Sequence, residues 1–360
     1  MPIPHLSVSL PYWQDRDPRD ALLVADAAAR LGYDRLWIGE MATYDAFALA
    51  TAIGLAPGDL PLCLGPLAVS IRTPATIAMG VASVAALTGR RTDIALGTSS
   101  TVVVEDWHGR ERRRTAAHLE DSVHIVRALL HGGRTDFDGT AEHSHGYRLR
   151  LPAPHTSPAS AAGAGSPAPP WAGGEVAVAA FGERALSVAG RVADRAVLNL
   201  VTPAQVQQCA SVIREFAARA GRPAPPISVW VTAAADPTAD LLATVRRGVV
   251  GYLNAPGYDA MFRAAGFDDV VRLAHSGSHP REVLAAVPDE LLAAVGMFGD
   301  IATLADRLAA YRAAGADEVV VVPATSADDP AGAHTLEALA TLRAATGFDL
   351  DRVEVGNAHG

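Results

Sequence analysis

The 360-residue chain has no lysine: all 30 of its basic residues are arginine. That absence removes Schiff-base chemistry, a lysine-linked pyridoxal phosphate and the lysine of a nucleotide-binding P-loop. A phosphate or carboxylate ligand therefore has to be held by arginine, by backbone N–H groups or by hydroxyls. Cysteine is scarce too. Cys63 and Cys209 stand far apart, so neither a disulfide framework nor a zinc spacing is present. No apolar run approaches the roughly 18 residues that a membrane helix needs. The first residues reach Pro11, Asp15 and Asp17 without a long apolar core, so no signal peptide is expected and the cytoplasm is the expected compartment. A net charge of −9 opposes general binding to nucleic acid or to an anionic membrane surface. A glycine-rich dinucleotide turn is missing, since Pro11–Tyr12–Trp13 follow the first strand, and there is no G-x-S-x-G elbow.

What the chain does have is a rhythm. Short apolar, β-branched runs alternate with longer segments of helical periodicity, the pattern of βα units around a parallel sheet. Strands are predicted at His5–Leu10, Arg35–Ile38, Pro61–Ser70, Thr92–Gly97, Glu175–Phe181, Arg195–Leu200, Ile227–Ala234 and Glu318–Pro323. Helices fall between them, including Pro74 to Leu87, Arg112 to Leu130 and a last one from Pro330 to Thr346. Eight such alternations favour an α/β fold of the closed (β/α)8 TIM-barrel type over a doubly wound sheet. Two stretches break the rhythm. Residues 152–174 are almost wholly Pro, Ala, Gly and Ser, which reads as a flexible surface insertion, with a substrate lid as the sharper alternative. Residues 236–297 are too long for one crossover and read as a helical insertion over the mouth, where specificity would reside.

In such a barrel the C-terminal ends of the strands carry the chemistry. Glu40 follows the second strand, placed either to bond a ring or to cap the next helix. Thr98, Ser99 and Ser100 follow the fourth and offer hydroxyls and N–H groups, although a plain turn has the same composition. Glu105–Asp106–Trp107–His108 comes next, and His108 is a proton donor suited to neutral pH or else a solvated loop residue. Phe181–Gly182–Glu183 ends the fifth strand and opens a helix, the requirement for phosphate at a helix N-terminus. Asn199 is a polar residue among Val197, Leu198 and Leu200, either a satisfied core amide or a ligand contact. His143, His145 and His155 lack partner acids at helical spacing and are read as solvated, as are His275, His279 and the run Arg112–Arg113–Arg114. No metal site is expected.

These strand ends resemble those of the luciferase-like monooxygenase family, within its branch of deazaflavin-dependent oxidoreductases. The resemblance is carried by Leu31–Glu40 (LGYDRLWIGE), Tyr44–Phe47 (YDAF), Arg72–Pro74 (RTP), Gly89–Thr98 (GRRTDIALGT) and Ser99–Gly109 (SSTVVVEDWHG). It continues through Glu120–Leu130 (EDSVHIVRALL), Ala189–Asp194 (AGRVAD) and Ala313–Val321 (AAGADEVVV), in the right order along the barrel. It implies a single luciferase-like TIM-barrel domain over residues 1–360, a homodimer, a small-molecule substrate and a cofactor, coenzyme F420 or alternatively FMN, at the top. It implies Glu40 beside the ring and Leu67–Ala68 behind it, where relatives often carry a non-prolyl cis peptide. It also implies Thr98, Ser99 and Ser100 on the ring or ribityl chain, Phe181, Gly182 and Glu183 around the phosphate, and Asn199 nearby. Sugar-phosphate dehydrogenases of the family place a histidine directly after the acid, whereas this chain has Met41, which puts their base and their substrate in doubt here. The implied reaction is hydride transfer to or from a C=O, C=N or activated C=C bond, with Tyr44, His108 or Glu40 as proton donor. The rival readings are an FMN-dependent monooxygenase on the same barrel, a non-catalytic ligand-binding relative, and a metal-dependent hydrolase that the missing His/Asp ligand set disfavours.

Overall fold

The computed structural model describes residues 5–11, 16–40, 42–150 and 174–345. The insertion at 152–173 and Met41 lie outside the described residues. Eight parallel strands close a ring. In chain order they are β1 (His5–Ser9), β2 (Leu36–Ile38), β3 (Leu62–Ala68), β4 (Thr92–Gly97), then β7 (Val176–Ala179), β8 (Arg195–Asn199), β9 (Ile227–Ala235) and β11 (Glu318–Pro323). Each pairs with the next, β11 returns to β1 through His5↔Glu318, and the β8–β9 and β9–β11 ladders complete the circle. The barrel expected from the alternation is the fold. Beside it stand a hairpin of β5 (Asp136–Asp138) and β6 (His143–His145), and a short β10 (Met297–Gly299) that extends the top of β9. None of these three was expected.

Outer helices pack against the barrel: α1 (Asp20–Arg30), α2 (Ala46–Leu55), α3 (Pro74–Thr88), α4 (Thr115–Leu130), α5 (Gly182–Val192), α6 (Pro203–Arg219), α12 (Ile301–Ala313) and α13 (Ala333–Ala345). Local chemistry sets their limits. Thr73 caps α3 with its hydroxyl on the Thr76 N–H, Pro74 takes the first turn where no donor is lost, and Gly89 leaves at φ 69°. A capping box between Thr202 and Gln205 starts α6. The fourth helix begins at Thr115 rather than Arg112, because Arg114 turns left-handed at φ 47°.

Alternation along the strands sorts residues into two cores. Leu36, Ile38, Leu62 and Leu64 face the helices, while Trp37, Cys63, Ala95, Ala177, Val197, Trp230 and Val320 form a separate cluster inside the ring. Trp37 and Trp230 meet edge to face with centroids 5.7 Å apart, and the alanines of β4 and β7 leave room for them. One layer lower, at the strand starts, the inward positions are ionic. Glu318 accepts the Ser7 and Ser228 hydroxyls and pairs with Arg195 at 3.3 Å and Arg35 at 3.6 Å. Arg35 also holds Asp93 and Glu175, each at 3.1 Å, and Arg195 holds Glu175 at 2.9 Å. Burial pushes the Glu175 carboxyl up, but the Arg195 hydrogen bond and the fields of Arg195 and Arg35 outweigh it and bring it to about 2. This plug closes the bottom of the barrel.

Between β9 and β10 the chain builds five short helices: α7 (Ala239–Leu253), α8 (Tyr258–Ala264), α9 (Asp268–His275), α10 (Pro280–Ala286) and α11 (Asp289–Val295). They have a core of their own, including Leu253, Phe262, Val271 and Leu291, and Leu200 at the end of β8 joins it. The helices thus sit on the rim at which the strands end.

Candidate active site

At the mouth the inward positions become small. A Cβ on Gly97 would lie 3.2 Å from the Pro66 ring and 3.6 Å from Ala179 Cβ, so the ends of β3, β4 and β7 close on one another without bulk between them. A bulge between Leu64 and Leu67 swings Pro66 into this layer. Among the described residues the cis peptide is Gly65–Pro66. The resemblance implied a non-prolyl one around Leu67–Ala68; the observed bond lies earlier in the same strand and is prolyl.

Five strands adjacent in the ring (β2, β3, β4, β7 and β8) end in Glu40, in Leu67–Ala68, in Thr98–Ser100, in Phe181–Glu183 and in Asn199. Their order in the ring makes one arc of the rim. Glu40 is gripped there by Arg72, whose Nε donates to Oε1 at 3.0 Å and whose Nη2 donates to Oε2 at 2.5 Å. Glu40 Oε2 also accepts the Ala46 N–H at 3.2 Å, so both alternatives left open for it, rim group and helix cap, are combined in one side chain. Arg72 reaches Asp45 as well and lies 5.0 Å over the Phe47 ring. The Glu40 hydrogen bond, then the Asp45 bond against desolvation, raises Arg72 above its ordinary value. Arg72 stood in the sequence only as part of a matching motif; its role depends on a loop bringing it back to β2.

Beyond β4, Ser99 turns at φ 54° and the chain enters a π-helical segment, Val102–Trp107. The expected helix-entry loop is this helix instead. Ser100 caps it with its hydroxyl on the Val103 N–H at 3.3 Å. Arg112 folds back over the turn, with Nε donating to the Ser99 carbonyl at 3.0 Å and Nη2 to the Thr98 hydroxyl at 3.4 Å. The cation that was read as merely exposed therefore stands at the rim. His108 ends the π-helix and is exposed, as is Trp107. Tyr44 donates its hydroxyl to the Arg16 carbonyl at 2.6 Å.

Gly182 is the first residue of α5, with φ 68°, a conformation that L side chains rarely adopt, and a Cβ there would meet nothing within 4 Å. Open space, a free first turn and the positive end of the helix dipole coincide at this point. Phe181 packs on Tyr258 of the helical insertion with the rings tilted at 42° and centroids 4.4 Å apart, and Asn199 Nδ2 donates to the Tyr258 hydroxyl at 3.1 Å. Burial, then the neighbouring Tyr252, pushes the Tyr258 phenol well above its ordinary range against that bond. Asn199 is thus satisfied by the insertion, and the insertion is pinned beside the Gly182 turn. Among the described residues no group of three His, Cys, Asp or Glu side chains is arranged to hold a metal ion. No helix among them is long and apolar enough to cross a membrane.

Comparison with known proteins gives a consistent picture. A Mycobacterium tuberculosis protein named as a coenzyme F420-dependent oxidoreductase is 25% identical over 331 residues, covering 88% of this chain and 94% of its own. The coenzyme F420-dependent tetrahydromethanopterin reductase of Methanopyrus kandleri superposes with a TM-score of 0.76 at 17% identity, over 94% of this chain and 98% of that one. The oxygenating constituent of 3,6-diketocamphane monooxygenase from Pseudomonas putida, solved with FMN, gives a TM-score of 0.65 at 18% identity, over 94% and 97%. Residues 5–318 match the family described as luciferase-like monooxygenase. With that span running from the first barrel strand to the start of the last, the chain belongs to the luciferase-like monooxygenase family.

Proposed function

We propose that the protein is a coenzyme F420-dependent oxidoreductase acting on a C=O, C=N or activated C=C bond of a small organic substrate. The observation that carries the reading is the arc of rim groups that ends at Gly182, where a helix N-terminus faces open space in a backbone conformation suited to glycine. A bound deazaflavin supplies hydride chemistry with little reactivity toward oxygen. The N–H groups of Gly182, Glu183 and Arg184 would hold its phosphate, and Thr98, Ser99 and Ser100 would offer donors along its chain and ring. Gly97, Ala179, Pro66 and Ala68 present little bulk at the strand ends over which a flat ring would lie. Glu40 serves as an acceptor at the ring edge, since both of its oxygens already receive N–H donors. The F420-dependent name of the mycobacterial relative supports this cofactor. FMN is the second reading, favoured by the FMN-bound neighbour, and it would make the enzyme a monooxygenase.

A parallel titration with F420 and FMN, followed by tryptophan quenching, tests the proposal. Micromolar affinity for F420 alone supports it and affinity for FMN alone supports the second reading. Binding of neither sinks both. We also propose a cytoplasmic homodimer. The outer face of α2 and α3 exposes Leu55, Met79 and Leu87, at 66%, 49% and 65%, on two helices that carry no charged residue.

A further inference from the structure

Reduction of a C=O or C=N bond needs a proton as well as a hydride, and the three donors read from the sequence are poorly placed to give one. Glu40 is occupied by Arg72 and Ala46, Tyr44 gives its proton to the Arg16 carbonyl, and His108 is exposed at the far end of the π-helix. The described structure contains another arrangement. Ser70 lies one residue beyond the Val69 N–H to Gly97 carbonyl bond that ends the β3–β4 ladder, level with the rim. Its Oγ is 3.3 Å from His118 Nδ1 on α4, and His118 Nε2 bonds the Glu142 carboxylate in the β5–β6 turn. Three separate segments therefore supply one continuous chain of proton-carrying groups.

The turn is built to keep this alignment. Asp121, one turn along α4 from His118, accepts the Ala141 and Glu142 N–H groups at 2.7 and 3.0 Å, and Arg114 donates to the Thr140 carbonyl at 3.1 Å. A Cβ on Gly139 would lie 2.3 Å from Asp121 Cγ, so the turn sits hard against the helix. The imidazole is about one-fifth exposed and its carboxylate partner similarly so, which gives solvent access at the outer end. The charged groups nearest it in the chain and in the turn are Glu142, Asp121, Arg114 and Glu120; α3, packed against α4, carries none, while α5, also packed against α4, carries Glu183, Arg184 and Arg191, the last paired with Glu120 at 2.7 Å.

We infer that Ser70, His118 and Glu142 form the proton relay of the oxidoreductase, with Ser70 as the group that meets the substrate. The inference rests on the hydride-transfer reading above. In the reducing direction the substrate heteroatom, left with the electron pair of its former π bond, takes the Ser70 hydroxyl proton. Ser70 Oγ takes the Nδ1 proton of an imidazolium, and the neutral imidazole keeps its Nε2 proton on Glu142. Solvent restores the imidazolium after product leaves. Hydride from the reduced cofactor forms the C–H bond as the π bond breaks, and one proton, drawn through the relay from solvent, completes the reduction. Glu142 and His118 act through Ser70, as positioning and supply groups.

The test is NMR titration of the His118 Cε1–H signal, assigned with His118→Gln, in the full-length protein with and without a saturating amount of whichever of F420 and FMN binds. Glu142→Gln replaces the carboxylate that accepts from the ring, so at one fixed pH the signal should stand away from its wild-type position. Bound cofactor should move the signal in wild type. In Ser70→Ala, the cofactor should bind within twofold of wild type while that response disappears. A His118 signal indifferent to bound cofactor, or an unchanged response in Ser70→Ala, overturns the relay and leaves the cofactor reading intact. If neither cofactor binds, the parent reading fails and the relay falls with it. Unchanged thermal midpoints for the three variants exclude a folding explanation for a positive result, and Ser70→Thr, which keeps the hydroxyl, should restore the response.

Discussion

Substituting Gly182 by alanine separates what the turn does for the fold from what it does for a ligand. At φ 68° an alanine is strained by about 1–2 kcal/mol. Since its Cβ meets no atom within 4 Å, conformational strain is the whole structural cost. In a chain of this size that lowers the thermal midpoint by only a few degrees. Gly221, after α6, has nearly the same backbone (φ 67°) and the same empty surroundings, yet lies away from the mouth. Gly221→Ala is therefore a matched control, with equal strain and no ligand. If the N–H groups of the first turn of α5 hold a phosphate, the methyl of Gly182→Ala occupies the approach and weakens cofactor binding by tenfold or more, about 1.4 kcal/mol. Gly221→Ala should leave affinity within twofold. Calorimetric unfolding and fluorescence titration of both variants provide the comparison. Equal loss of stability with unchanged affinity in Gly182→Ala would refute the cradle.

Three other outcomes are expected. Glu318→Ala leaves Arg195, Arg35 and two hydroxyls without their common acceptor at the bottom of the barrel, and should cost about 3–5 kcal/mol in chemical denaturation, whereas Glu337→Ala on the exposed face of α13 should cost less than 0.5. Because Glu175 is held at about 2, below the ordinary carboxylate value of 4.5, its stabilisation is complete above pH 4.5 and is lost as pH falls toward 2. Asp93 runs the other way, its carboxyl raised mainly by burial, so Glu175→Gln should flatten the acid limb of a thermal-midpoint profile and Asp93→Asn should steepen it. Finally, Leu55→Glu with Met79→Glu should turn a dimer into a monomer by light scattering without altering the unfolding cooperativity of the barrel; a monomeric wild type would refute that interface.

The strands were legible because each is a short apolar run, most of them β-branched, and their number and spacing leave little besides a closed parallel ring. The hairpin was not. Asp136-Phe-Asp138 and His143-Ser-His145 are mostly polar and contain no β-branched residue, so only their antiparallel pairing with each other makes them strands. The segment before α4, expected as a helix-entry loop, is a π-helix over Val102–Trp107, with the Ser100 hydroxyl on the Val103 N–H and the chain turned at Ser99. Among site groups, those fixed by position on a strand end could be named in advance, because alternation and the barrel rule place them. Arg72, Arg112 and His118 could not, since each acts by reaching across from another element. Tyr258 reaches Asn199 across 59 residues, and no local pattern announces such a contact.

The same alternation explains why the two ends of the barrel have different tasks. Reading upward from the strand starts, the inward residues of β4 and β7 run Asp93, Ala95, Gly97 and Glu175, Ala177, Ala179, while those of β2 and β8 run Arg35, Trp37, Gly39 and Arg195, Val197, Asn199. Charge gives way to hydrocarbon and then to near-absence of side chain. A buried ionic layer is tolerable only where every charge has a partner, which the bottom provides through Glu318, Arg35 and Arg195. The tryptophan layer above it shuts water out. The last layer has the smallest side chains, and it is there that the backbone turns left-handed at Ser99, Leu200 and Gly182. Filling that layer, for instance with Gly97→Val, adds bulk against Pro66 and Ala179 at the level where a ring would lie, while the two layers beneath keep their contacts. The consequence should be lost cofactor binding in a chain whose Trp37–Trp230 pair, read by near-ultraviolet circular dichroism, is unchanged. A collapse of both signals together would mean that the mouth layer is part of the core rather than a seat built on it.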